Sequence, residues 1–351
     1  MTQAPTPTAD SVRRLVRTLL PDAPRDGYAP AGVPEVRPVT TGGEHSTWWV
    51  GARHVLRLAP DRDASARLRR ELRLRDLARP HLPVAVPASA AHGEWAPGLA
   101  YTLDTRITGG TADELDVSAL GEDDLAGLLA GLRAVPVRQA GTLGVPRTAP
   151  RSLEALRRMA VHAAEELGAA DEFEPARMAQ LAAPAAAQLA AQSHAAVLVH
   201  HDLKGEHLVL APDGRVRGVL DWTDAVIGDP AEDIAGLALA VGSPAAVRAA
   251  TLAGYGARPC LRGLWLARCD TVIRLAGRLA GRDDSPLPLL RVQLRHSWEA
   301  ILLERVTEFR EEGEQDDKQD DGQDDGQDEG RGDGRYGEQG DGQEGAGGGQ
   351  P

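Results

Sequence analysis

The chain has 351 residues, with 52 acidic against 39 basic side chains and a formal net charge of −13. The imbalance is local: residues 311–351 carry 15 Asp and Glu against 3 Lys and Arg, leaving 37 acidic and 36 basic residues elsewhere, a net of −1. A near-neutral body argues against a nucleic-acid surface or a basic membrane patch. No run of about 20 apolar residues offers a transmembrane helix, and the N-terminus lacks an apolar stretch of signal-peptide length, so a cytoplasmic protein is expected. Residue usage is biased: there is no Asn, and Lys204 and Lys318 are the two lysines. Cys260 and Cys269 have no paired spacing and read as reduced packing residues.

Ser11–Leu20 reads as a short amphipathic helix, followed by a Pro/Gly-rich linker. Glu35–Leu58 reads as strands, with a glycine turn at Gly42-Gly43, an aromatic strand Thr47–Val50, a tight turn at Gly51 and a strand His54–Ala59 carrying Arg57. Ala64–Ala78 is strongly helical and contains Glu71. A loop at Pro83–Pro87 precedes a strand, Ala100–Ile107, which ends at Gly109-Gly110. From Leu115 the pattern is helical, at Asp123–Ala134, Leu153–Leu167 and Glu174–Gln192.

Val197–Asp233 is the most informative stretch. Asp202 ends an apolar run, VLVHHD, and a hairpin follows, with its turn at Pro212-Asp213-Gly214. The second hairpin strand delivers Asp221, so two carboxylates stand at the ends of neighbouring strands. Beyond Asp233 helices are expected at Ile234–Val241, Pro244–Tyr255, Leu261–Leu279 and Leu287–Arg310. The Asp/Gln/Gly/Glu-rich stretch from Glu311 cannot bury enough apolar surface to offset its ordering entropy and is expected to be disordered.

These blocks resemble the phosphotransferase family that includes the aminoglycoside and macrolide antibiotic kinases. His200-His201-Asp202-Leu203-Lys204-Gly205-Glu206-His207 aligns without a gap to the family's H-G-D-L-H-P-G-N. Gly218-Val219-Leu220-Asp221-Trp222 matches its I-D-W or I-D-F strand, and Gly228-Asp229-Pro230 with Asp233 its G-D-P-x-x-D. The resemblance implies an α+β, bilobal, protein-kinase-like fold with a small β-rich N-lobe and a large, mainly helical C-lobe. It implies an N-terminal helix and linker at 1–33, a nucleotide-binding N-lobe at 34–108, a C-lobe at 109–310 and the acidic tail at 311–351. The phosphotransferase region itself would run from about residue 36 to 298.

The implied function is transfer of the γ-phosphate of ATP or GTP to a hydroxyl of an aminoglycoside-, macrolide- or similar small-molecule acceptor. Asp202 would be the catalytic base and Asp221 a Mg²⁺ ligand. His207 stands where kinases place a metal-binding Asn, as in the aminoglycoside 2″- and macrolide branches. It would ligate the second metal directly, act through water, or fix the loop. Arg57 would anchor the nucleotide phosphates in place of the usual Lys, with Glu71 as its partner, and Gly42-Gly43 would lie over those phosphates or form a plain hairpin turn. Lys204 would neutralise transferring phosphate or face solvent. His201, in place of the usual Gly, would alter the loop backbone or face substrate. Asp229 and Asp233 would anchor the loop by capping the following helix. Trp222-Thr223-Asp224 is closer to the macrolide branch. A monomer or weak dimer is expected. The alternative is a catalytically weak, kinase-like nucleotide-binding protein, motivated by the missing Lys and Asn. A metal-dependent phosphohydrolase fits less well, because the His and Asp residues follow a strand and precede a hairpin.

Overall fold

The computed structural model describes residues 6–20, 34–39, 46–190 and 196–301. Gly42, Gly43 and the acidic segment from Glu311 lie outside these described residues.

The chain opens with α1 (Ala9–Leu19), started by a capping box in which Thr8 and Ser11 satisfy each other's backbone N–H groups. Val12 and Val16, four residues apart, form its buried stripe. There follow β1 (Val36–Pro38), β2 (Ser46–Val50) and β3 (His54–Leu58), then α2 (Arg62–Ala78), β4 (Ser89–Ala96) and β5 (Leu99–Thr105). The strands form one antiparallel sheet in the order β1-β2-β3-β5-β4. Strand β4, SAAHGEWA, has little β-branched or aromatic content and was not expected from sequence. It is held by pairing with β5 across two register shifts.

Strand alternation sorts the side chains of this sheet. Leu56, Leu58, Tyr101 and Leu103 point to the face packed with Val12 and Val16 of α1. The intervening Arg57 of β3 and Thr102 and Asp104 of β5 therefore point to the opposite face, which α2 covers. Helix α2 is capped by Asp61, whose carboxylate accepts the Ala64 N–H at 2.7 Å. Its buried residues, Ala64, Leu68, Glu71, Leu74, Arg75 and Ala78, recur at helical spacing. A helix that buries Glu71 and Arg75 against a sheet face carrying Arg57 and Asp104 must pair those charges.

Beyond β5 the chain is mainly helical. The elements are β6 (Gly110–Thr111), α3 (Ala119–Ala134), α4 (Val137–Thr142), α5 (Leu153–Ala169), α6 (Ala183–Gln188), β7 (Val197–Val199), β8 (Leu208–Leu210), β9 (Val216–Val219), β10 (Val226–Gly228), α7 (Ala231–Val241), α8 (Ser243–Leu252), α9 (Ala257–Leu279) and α10 (Leu287–Ser297). Strands β6, β8 and β9 make one small sheet, and β7 pairs antiparallel with β10. Helix α9 packs on α5, α7 and α10 and buries both cysteines, which are free thiols.

The helix expected over Glu174–Gln192 does not form as one piece. A 3₁₀ segment, Pro175–Gln180, is followed by the six-residue α6 with a proline in its first turn, because proline removes a helix N–H and clashes with the preceding turn. The last expected helix runs only over α10 within the described residues; its expected continuation past residue 301 lies outside them. The Pro212-Asp213-Gly214 turn is present, with Gly214 at φ +76° and the Gly214 N–H donating to the Ala211 carbonyl at 2.9 Å.

Candidate active site

Arg57 reaches from β3 to α2. Its Nη1 donates to Glu71 Oε1 at 2.7 Å, and its Nη2 lies 3.3 Å from Thr223 Oγ1 and 3.8 Å from Asp221 Oδ1. Thr223 closes the ring by donating Oγ1–H to Glu71 Oε2 at 3.0 Å. On the same helix Arg75 grips Asp104 through both terminal nitrogens, at 3.0 and 3.2 Å, and places its Nε 3.8 Å from Glu71. Burial works against the Glu71 carboxylate, but Arg57 and then Arg75 overcome it and hold its pKa below the ordinary carboxylate range. Burial also opposes the Arg57 charge, which Glu71 restores and strengthens.

The sequence pointed to the Arg57–Glu71 pair, and the structure brings the two together. It did not point to Thr223, Arg75 or Asp104. A signal for the last two was present: Arg75 follows Glu71 by one helical turn, and Asp104 is a lone carboxylate in the otherwise uncharged strand β5.

The loop 200–207 runs from β7 into a 3₁₀ turn at Gly205–His207. Asp233 holds its start. The two carboxylate oxygens accept the backbone N–H groups of His200 and His201, each at 2.8 Å. Asp233 sits in the first turn of α7, so it anchors the loop as expected, though by accepting loop N–H groups and not by capping the helix. Asp229 takes the other part, accepting the Ala231 N–H at 3.0 Å while pairing with Arg262. His201 stands at φ +70°, in the left-handed region that glycine enters without strain. The backbone thus takes a conformation that the glycine of the resembling motif would enter without strain. His200 is fully buried, edge-on to Trp222 with ring centroids 4.8 Å apart, and its Nε2 lies 3.0 Å from the Leu220 carbonyl. Burial, assisted by His207, pushes its pKa down to about 3. Burial pushes Asp233 up to about 7, against the pull of its two N–H donors.

Gly205 packs against Asp113, whose carboxylate would have to move to admit a Cβ there. Lys204 Nζ sits 3.2 Å from Asp202 Oδ2 and 3.2 Å from Glu206 Oε1. Burial disfavours its charge, while Asp202 and Glu206 raise its pKa. It is therefore engaged at the Asp202 carboxylate, with its side chain 43 % exposed.

His207 curls back over Asp202. Its Nδ1 lies 2.9 Å from the Asp202 carbonyl oxygen and 3.3 Å from Oδ2, and its Nε2 lies 3.8 Å from Asp221 Oδ2. With Nδ1–H donating to that carbonyl, the Nε2 edge of the ring is turned to the Asp221 side. Asp221 ends the second hairpin strand at φ +54°. Burial opposes its ionisation, but Arg57 and His207 prevail and hold its carboxyl below the ordinary range. Among the described residues no group of three or more His, Cys, Asp or Glu side chains forms a cation cage. Mg²⁺ does not require one, since it keeps waters and shares its coordination with substrate phosphates around one or two carboxylates. The ionised Asp221 fits that pattern, while the His207 Nε2 beside it is a nitrogen donor better suited to holding a water of the ion than the ion itself.

Of the sequence-derived site residues, Arg57, Glu71, Asp202, His207 and Asp221 converge in space; Gly42 and Gly43 lie outside the described residues. Neighbouring groups gather three charged or basic side chains around the two carboxylates Asp202 and Asp221. Such a site can accept a proton from an alcohol, hold an anionic group beside Arg57 and bind a cation at Asp221.

This combination of fold and site defines a phosphotransferase. The chain belongs to the phosphotransferase enzyme family, whose profile matches residues 35–264. Among solved structures it is similar to the GDP complex of wild-type aminoglycoside 2′-phosphotransferase-IIIa, with a TM-score of 0.60 and 19% identity over 83% of this chain and 98% of that one. It is also similar to the macrolide 2′-phosphotransferase of Brachybacterium faecium in its apo form, with a TM-score of 0.52 and 21% identity over 83% and 99% of the two chains. These likenesses show the fold: kinase-like and α+β, with a β-sheet N-terminal region and a helical C-terminal part. A stretch of 36 residues is 50% identical to the uncharacterized protein YcbJ of Bacillus subtilis (strain 168); it spans 10% of this chain and only 12% of that protein's length. No helix among the described residues is long and apolar enough to cross a membrane.

Proposed function

We propose that this phosphotransferase moves the γ-phosphate of ATP or GTP to a hydroxyl of an aminoglycoside-, macrolide- or similar small molecule, with Asp202 as the base. The observation that carries the reading is the meeting of Asp202 and His207 of one loop with Asp221 of the following hairpin and Arg57 of β3, with Asp202 and Asp221 both beside the His207 ring. Phosphoryl transfer passes through a loose transition state, so positioning and charge neutralisation count for more than the strength of the base.

Asp202 aligns the acceptor hydroxyl and takes its proton on a carboxylate oxygen. Lys204, beside that oxygen, offsets negative charge as the phosphoryl group approaches. Arg57, kept charged and oriented by Glu71 and Thr223, presents its guanidinium fork to the nucleotide phosphates, a planar substitute for the usual lysine. Asp221 would hold Mg²⁺, and the Nε2 of His207 a water of the ion. Bound there, the ion would neutralise charge on the nucleotide phosphates. The aminoglycoside relative solved with GDP supports a nucleotide donor without choosing between adenine and guanine. The division into an N-lobe at 34–108 and a C-lobe at 109–310 belongs to the same reading, as do a cytoplasmic location and a monomer or weak dimer.

The test is nucleotide turnover with Mg²⁺, with ATP and with GTP, against a panel of aminoglycosides, macrolides and small alcohols. Acceptor-dependent turnover is expected, falling about 10²–10⁴-fold in Asp202→Ala. Nucleotide binding without turnover, unchanged in Asp202→Ala, would replace this reading with that of a kinase-like nucleotide-binding protein.

A further inference from the structure

A cavity of about 530 Å³ opens in the helical part of the molecule, and none of Arg57, Asp202, His207 or Asp221 lines it. Its charged wall consists of Arg133, Arg147, Arg258 and Arg262 against a single carboxylate, Asp229. That carboxylate is spent: it pairs with Arg262, which also donates to the Arg151 carbonyl at 2.7 Å. Arg133 is committed as well, donating to the Ala253 carbonyl at 2.7 Å and lying 5.0 Å above the Tyr255 ring. Arg147 and Arg258 differ. Among the described residues no carboxylate or carbonyl meets either guanidinium, and both face the same cavity. The rest of the lining is mainly apolar, with Pro259 and Tyr255 half-buried and Ile227 and Pro230 buried behind them.

We propose that this cavity is a binding site for a small organic oxyanion, whose carboxylate or phosphate head is met by Arg147 and Arg258 and whose apolar body rests on the half-buried Pro259 and Tyr255. Two planar forks match oxyanion geometry, and the apolar wall rewards a hydrophobic body that inorganic phosphate lacks. The site is separate from the phosphotransfer centre. Val197 of β7 lines the cavity five residues before Asp202, and the loop that carries Asp202 contributes nothing to its wall. It is nonetheless connected to that centre. The cavity wall at Asp229 and Pro230 leads directly into α7, whose Asp233 holds the start of the 200–207 loop.

The test is calorimetric titration of the full-length protein with phenyl phosphate, benzoate and the uncharged benzyl alcohol, repeated on the double variant Arg147→Gln/Arg258→Gln. Saturable binding of at least one anion is expected, with no binding of the alcohol. The double variant should weaken it by about tenfold or more, the scale of lost charge-assisted hydrogen bonds. Comparing the two anions identifies the preferred head group. Among the described residues neither guanidinium has a hydrogen-bond or ion-pair partner, so the variant should melt as the wild type does; if it does not, the single Arg258→Glu reversal serves the same purpose. No saturable binding of either anion at millimolar concentration, equal binding of benzyl alcohol, or anion binding that survives the substitutions would overturn the proposal.

Discussion

His200 and Asp233 are joined under the 200–207 loop by a backbone hydrogen bond, and burial shifts them in opposite senses. His200 stays neutral in the fold down to about pH 3, whereas the unfolded chain protonates it near its ordinary value. Between those points the unfolded state binds more protons, so this group makes stability fall as pH falls, by about 1.4 kcal/mol per pH unit. Asp233 holds its proton in the fold up to about 7, while the unfolded chain releases it near 4. There the native state binds more protons, and stability from this group falls as pH rises. Over the shared window, roughly pH 4 to 6.5, the two slopes oppose each other. His200→Phe should therefore unmask a gain in stability on acidification relative to wild type, and Asp233→Asn a loss. Urea denaturation of the three proteins at pH 4.5, 5.5 and 6.5 checks this, and parallel curves would refute it.

At the scale of elements, the joint between α2 and β5 rests on the Arg75–Asp104 pair, with both side chains under 5 % exposed. A buried pair is a weak source of net stability, yet removing one partner strands the other charge at a cost of about 3–5 kcal/mol. Asp104→Ala should lose that much in denaturant titration, and Arg75→Met/Asp104→Leu should recover most of it. The joint also bears on the site, because Glu71 lies one turn from Arg75 and orients Arg57. The α2 register is thus set from the β5 side, and Asp104→Ala is the substitution that loosens Arg57 without touching it. Losses below about 1 kcal/mol in the single variant would mean that the pair is effectively solvated.

At the scale of the whole molecule, charge is unevenly spread. Ending the chain after Arg310 removes 15 acidic and 3 basic residues and takes the formal charge from −13 to −1. A molecule near zero charge associates more readily, because the repulsion that keeps copies apart is gone. The shortened protein should keep its thermal midpoint and its acceptor-dependent turnover, while light scattering near neutral pH rises with concentration. A midpoint lowered by many degrees would show that the acidic segment contributes to the fold.

The sequence by itself determined the chemistry-bearing blocks. Asp202, His207 and Asp221 lie within one 20-residue window whose strand and turn signals are local, so their mutual placement follows from short-range structure. The Arg57–Glu71 pair was legible through the family resemblance, which sets a strand cation opposite a carboxylate of the next helix. Local pattern failed where long-range pairing decided the outcome. Strand β4 exists because β5 offers it an edge, and no propensity in SAAHGEWA announces it. The helix expected after Glu174 breaks at prolines whose effect the surrounding alanines concealed. Only the tertiary structure decided that Thr223 bridges Arg57 and Glu71 from more than 150 residues away, that Arg75 locks onto Asp104, and that Arg147 and Arg258 line one cavity that Asp202 does not enter. Those contacts join segments far apart in the chain. Their closure depends on how the sheet and helices pack, which the order of residues along the chain specifies without displaying.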